Sequence, residues 1–191
     1  VSVNSPGRNI VLIGMMGSGK TTVGRHVAKA LGRPFVDTDD VVEGELGKPI
    51  SQIFDDQGER VFRAAETEAV RRVAAIHGQV VAVGGGAVLD PVNVTHLSST
   101  GDLVWLDAPV HVLMANLTSK GEVEARPLLA TTGPDRMHAR LAAMREERLE
   151  AYHRAATAAL ATDDRAPEVL ADEIIRWAAG QPGLLAREER P

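Results

Sequence analysis

The chain of 191 residues contains no cysteine, which excludes disulfides, thiolate zinc sites and a cysteine nucleophile. Aromatic residues make up only 3% of it, so any core must be built from valine, leucine, isoleucine and alanine. No apolar run approaches the roughly eighteen residues that suggest a membrane span. The short polar stretch Val1–Arg8 lacks the basic-then-apolar pattern of a secretion signal, and a cytoplasmic location is expected. Basic charge is also scarce: Lys+Arg 21 against Asp+Glu 26 leaves a net charge of −5. That balance argues against a nucleic-acid partner or a membrane-surface partner. An anionic substrate would therefore need a locally basic cleft. The six histidines are scattered, with no pair at metal-ligand spacing.

What the chain does have is a regular alternation of short apolar runs and helix-period segments. Asn9–Ile13, Pro34–Val36, Gln79–Val83 and Leu103–Leu106 read as buried strands, with a weaker one over Thr157–Ala161. Between and after them, helices are expected over Lys20–Leu31, over Ile50–Ile76 with a break near Gly58, from about Val110, over Asp135–Ala155 and over Pro167–Ala179. Trp105 falls in a core strand and Trp177 in the last helix, so neither is a candidate for stacking on a base. Buried strands ending in glycine and separated by helices imply an α/β fold with a mostly parallel sheet of about five strands. The length suits one domain, over 1–180. The polar segment Ser119–Pro134 is expected to be a mobile lid, and residues 181–191 a frayed tail.

Gly14-Met15-Met16-Gly17-Ser18-Gly19-Lys20-Thr21 fits G-x-x-x-x-G-K-[ST] between a strand and a helix. Glycines let the backbone curl so that its N–H groups face phosphate oxygens, and the helix adds its positive N-terminal end. Lys20 would reach the β/γ-phosphates and the Thr21 hydroxyl would ligate Mg²⁺. Gly17, Ser18, Gly19, Lys20, Thr21 and Thr22 are therefore the candidate nucleotide site. No Asn-Lys-x-Asp sequence for reading guanine is present.

Asp37-Thr38-Asp39-Asp40 follows the second strand, at the edge of the sheet where ligands bind in open α/β folds. In an extended segment Asp37 and Asp39 would project to the same side. One could hold Mg²⁺ while the other accepts the proton of a nucleophilic hydroxyl. Asp40, before Val41 and Val42, is expected to cap a helix.

These motifs, with Gly58-Glu59-Arg60-Val61-Phe62-Arg63, Glu66, Gly84-Gly85-Gly86, Arg126-Pro127-Leu128-Leu129 and Arg148 four residues before Tyr152, resemble shikimate kinase in order and spacing. The resemblance runs from about Asn9 to Trp177. It implies a P-loop parallel sheet of the nucleoside monophosphate kinase type with a mobile lid over about 119–134 and substrate-binding helices over about 40–76. It implies ATP-dependent phosphorylation of the 3-hydroxyl of shikimate, with Mg²⁺ held through Thr21 and Asp37. Asp39 would contact the substrate hydroxyls as base, and Arg63 and Arg148 would bind the carboxylate. Gly84, Gly85, Gly86, Phe54, Phe62 and Glu66 would complete that pocket. Lys20 and Arg126 would neutralise the transferring phosphoryl group, and Arg165 and Pro167 would flank adenine. A monomer is expected.

One departure stands out. The family usually has an arginine in the helix before the lid, and Leu113–Lys120 contains none. Lys120 is its candidate replacement. A kinase of another polyhydroxy acid such as gluconate, and a catalytically silent nucleotide-binding domain, are the alternatives.

Overall fold

The computed structural model describes residues 7–119, 133–163 and 165–189. The lid segment, except for its ends, and Arg126 therefore lie outside the described residues. β1 (Asn9–Ile13) is buried along its whole length, as expected of a strand covered on both faces. Its alternate residues feed two separate cores. Ile10 and Leu12 pack with Val23, Val27, Leu170 and Ile174, while Val11 and Ile13 pack with Val70, Leu97, Leu141 and Tyr152.

Four parallel neighbours complete the sheet: β2 (Phe35–Asp37), β3 (Val80–Ala82), β4 (Gly101–Asp107) and β5 (Ala158–Ala161), in the order β2-β3-β1-β4-β5. The helices are α1 (Lys20–Leu31), α2 (Thr38–Leu46), α3 (Ile50–Gln57), α4 (Glu59–Ala74), α5 (Pro91–Thr100), α6 (Val110–Ser119), α7 (Pro134–Ala155) and α8 (Pro167–Ala179). α1 packs against α8 on one face of the sheet. α2, α3 and α4 enclose a smaller apolar cluster of Val42, Ile53, Phe62 and Ala69. Among the described residues, no helix is long and apolar enough to cross a membrane.

Two expectations need correction. The cap of α2 is Asp37, whose side chain accepts from the N–H of Asp39, and not Asp40, which already lies in the first turn. Asp37 and Asp39 are thus brought together by a strand-to-helix cap rather than by an extended segment. The chain end is also not frayed through 181–189. Leu184 and Leu185 are buried in the α1–α8 core, and Glu189 forms a bidentate pair with the buried Arg33 at 2.7 and 2.6 Å. Arg33 further donates to the carbonyls of Arg8 and Leu184, each at 2.7 Å. A buried arginine with all these partners is a satisfied structural clamp.

Candidate active site

Because β2, β3 and β1 are parallel neighbours, their carboxyl ends and the loops that follow share one edge of the sheet. The loop after β1 enters α1 through Gly17 and Gly19, at φ of 78° and 92°. Those values suit glycine, which has no Cβ to clash. A Cβ on Gly17 would also come within 2.8 Å of the Leu113 carbonyl oxygen on α6. The Lys20 ammonium folds over the loop and donates to the carbonyls of Gly14 and Met15 at 2.8 and 2.9 Å. The Thr21 hydroxyl donates to Asp37 at 2.9 Å. One carboxylate thus ties the first turn of α1 to the cap of α2.

A cavity of about 450 Å³ opens over this loop, lined among others by Gly17, Gly19, Lys20, Thr21, Thr22, Asp37 and Asp39. A second, smaller space of about 60 Å³ adjoins it and brings Asp39 together with Phe54, Phe62, Arg63, Glu66, Gly84–Gly86 and Arg148. Asp39 and Gly85 line both. The Phe54 and Phe62 rings lie 4.9 Å apart, and the Arg63 guanidinium sits over Phe62 at 5.1 Å. Arg63 donates to Glu66 at 2.7 Å and, at 3.1 and 3.2 Å, to Glu59.

Glu66 is only 2% exposed, and its second oxygen has no hydrogen-bond partner among the described residues. Burial pushes its carboxyl above the usual range, with Arg63 opposing the shift. Side-chain ends of the pocket crowd the glycine run. A Cβ on Gly84 would lie 2.5 Å from Glu66 Oε1 and 2.8 Å from Asp39 Oδ1, and one on Gly86 would lie 2.6 Å from Arg63.

Three residues without an assigned role in the sequence hold this site in shape. Thr38, between the two aspartates, accepts from the N–H of Gly84 at 3.1 Å. The Tyr152 hydroxyl donates to the Gly85 carbonyl at 2.6 Å, and burial pushes its pKa up to about 12. Asn116, in the helix α6 that leads to the expected lid, donates to the Gly17 carbonyl at 2.8 Å. Asn116 also borders a third cavity of about 250 Å³ with Ser18, Val112, Ala115, Thr162, Arg165 and Pro167. Arg165 is held there by Glu173 at 2.6 Å and by the Ala161 carbonyl. The expected phosphate, acid and adenine residues therefore fall into three neighbouring spaces, except Arg126, which lies outside the described residues.

A phosphate loop that meets a pocket with two arginines at a shared aspartate puts this protein among the small P-loop kinases. The family model for shikimate kinase matches residues 16–179. Curated relatives include "Shikimate kinase" of Symbiobacterium thermophilum, 46% identical over 87% of this chain and 94% of that one. Another is "Shikimate kinase" of Moorella thermoacetica, 45% identical over 87% and 91%. The solved structure "Shikimate kinase from Acinetobacter baumannii in complex with shikimate" superposes with a TM-score of 0.84 at 33% identity, covering 91% of this chain and 93% of that one. The chain belongs to the shikimate kinase family.

Proposed function

We propose that the protein transfers the γ-phosphoryl group of ATP to the 3-hydroxyl of shikimate, releasing ADP and shikimate 3-phosphate. The observation that carries this reading is the position of Asp39, which lines both the phosphate-loop cavity and the arginine-containing pocket. A hydroxyl held at Asp39 faces a phosphate held at Lys20. The nucleophilic oxygen bonds to Pγ as the bond from Pγ to the bridging oxygen breaks. Asp39 takes the hydroxyl proton, and ADP leaves with the bonding electrons.

The substrate carboxylate is assigned to Arg63 and Arg148, because planar guanidinium forks match a carboxylate in a way that lysine does not. Phe54 and Phe62 wall the ring, and the Gly84–Gly86 backbone lets the acid approach closely. Lys20 and Arg126 are assigned to the charge that develops on the phosphoryl oxygens. Arg165 and Pro167 are assigned to the adenine side.

Mg²⁺ fits the same arrangement. The Thr21 hydroxyl and the Asp37 carboxylate are hard oxygen donors 2.9 Å apart on the phosphate-loop cavity. Among the described residues no three His, Cys, Asp or Glu side chains form a metal cage. Magnesium needs none, because it usually takes one or two carboxylates plus substrate phosphates. When bound, the ion would supply charge neutralisation to the phosphates.

The test is ADP release from ATP in the presence of shikimate, quinate and gluconate. Release that depends on shikimate, with the other two acids near background, is expected. Equal release with gluconate, or release that no acid stimulates, would remove the substrate assignment.

A further inference from the structure

Tyr152 takes no part in the chemistry above, yet its hydroxyl ends on the backbone of the substrate pocket. It is 1% exposed on α7, and its ring stacks on Trp105 at 5.6 Å with an interplanar angle of 9°. Its 2.6 Å bond to the Gly85 carbonyl is short even for a hydroxyl donor. Arg148, one turn earlier on the same helix, donates to the same carbonyl at 3.3 Å. Two donors therefore share one acceptor, the tyrosine the nearer of them, and Arg148 also interacts with the tyrosine hydroxyl itself.

We propose that Tyr152 is a positioning residue for substrate recognition: its hydroxyl, fixed on the Gly85 carbonyl, holds the adjoining Arg148 guanidinium in place for the substrate carboxylate. The proposal rests on the assignment of Arg148 as a carboxylate anchor. Without the tyrosine hydroxyl, Arg148 loses that neighbour and keeps only its 3.3 Å contact to the carbonyl, so the guanidinium is less well placed for the acid. The hydroxyl is protonated across the neutral range, as any tyrosine is, and burial raises its pKa further, to about 12. The same bond steadies the glycine turn, whose residues have no side chains to anchor them. Thr38 fastens the preceding residue from the opposite element, α2.

The decisive variant is Tyr152→Phe, which keeps the ring and its stack and removes only the hydroxyl. The dissociation constant and KM for shikimate should rise about tenfold, the scale of one strong hydrogen bond, with ADP affinity unchanged. A purely structural loss would not produce that split. Ile174→Val, which thins the opposite core, provides a control that lowers the melting temperature without separating the two ligands.

A double-mutant cycle then locates the effect. In an Arg148→Ala background, Tyr152→Phe should change shikimate affinity less than about twofold, because the residue it acts through is gone. Additive effects, equal weakening of shikimate and ADP, or unchanged shikimate binding in Tyr152→Phe would overturn the proposal. The failure of the underlying assignment looks different: Arg148→Ala alone would then leave shikimate binding intact. That result would remove the carboxylate anchor and the role of Tyr152 together.

Discussion

Arg63→Ala is the perturbation that separates recognition of the acid from the chemistry. Arg63 is held in the pocket wall by Glu66 at 2.7 Å and by Glu59, with its guanidinium over Phe62. Truncating it does two things of different kind. On the proposed assignment, the substrate carboxylate loses a charged partner in a partly desolvated pocket, which generally costs about 2–5 kcal/mol, or roughly thirty- to several-thousand-fold in affinity. The Glu66 carboxylate, 2% exposed, also loses the guanidinium that offsets its burial. An uncompensated buried charge costs about 3–5 kcal/mol of stability, unless the group takes up a proton. The two losses can be told apart. Adding Glu66→Gln to Arg63→Ala removes the stranded charge and should restore much of the stability, whereas shikimate affinity should stay low. Calorimetry with shikimate and ADP, alongside denaturant melts of both variants, measures each part. ADP binding should be nearly unchanged, since Arg63 lines the acid pocket and not the phosphate cavity. Recovery of shikimate affinity in the double variant would mean that Arg63 merely neutralises Glu66 and does not bind the acid.

Other consequences are equally direct. Asp39→Asn keeps the side-chain shape and removes the proton acceptor, so turnover should fall about a hundred- to ten-thousand-fold with the fold intact. A loss below roughly threefold would leave Asp39 without its assigned role as base. Arg33→Met removes the charged hydrogen bonds that hold Glu189 and the carbonyls of Arg8 and Leu184, and chemical denaturation should register a loss of about 1.5–3 kcal/mol. Unchanged stability would mean that the docked end contributes nothing to the core. The pH dependence of stability should also carry the signature of Glu66. Its folded pKa is raised by burial, so the native state takes up this proton before the unfolded chain does. Stability relative to Glu66→Gln should therefore rise as pH falls from neutral into the carboxylate range. A flat or opposite difference in paired melts would show that Glu66 is not desolvated.

Much of this was legible before any coordinates. α1 and α8 span the residues expected of them, because each has a clean apolar stripe and a clear punctuation mark, Gly32 after one and Pro167 opening the other. The phosphate loop and the aspartates from the end of β2 into α2 are local motifs, in which spacing along the chain is also spacing in space. α5 was missed even though Asp90-Pro91 is a recognisable start: it buries little beyond Asn93 and Leu97, so its apolar period is faint. The docked end was missed for another reason. Arg33 and Glu189 are 156 residues apart, and nothing in a polar C-terminal stretch points to its partner. The contacts that hold the glycine turn share that character. Thr38 and Tyr152 reach Gly84 and Gly85 from different helices, and only the fold brings them together. Asn116 shows a subtler limit: the missing arginine was visible in the sequence, but the hydrogen bond from its neighbourhood to the phosphate loop was not.

The most direct test of the account is the product itself. The wild-type protein, incubated with ATP, magnesium and shikimate, can be followed by phosphorus and proton NMR. One phosphate monoester on the 3-hydroxyl, formed in equal amount to ADP, is the predicted outcome, because Asp39, the proposed base, lines both cavities. ADP accompanied by free phosphate without an ester, or an ester at another hydroxyl, would contradict the proposed joining of the two pockets at Asp39.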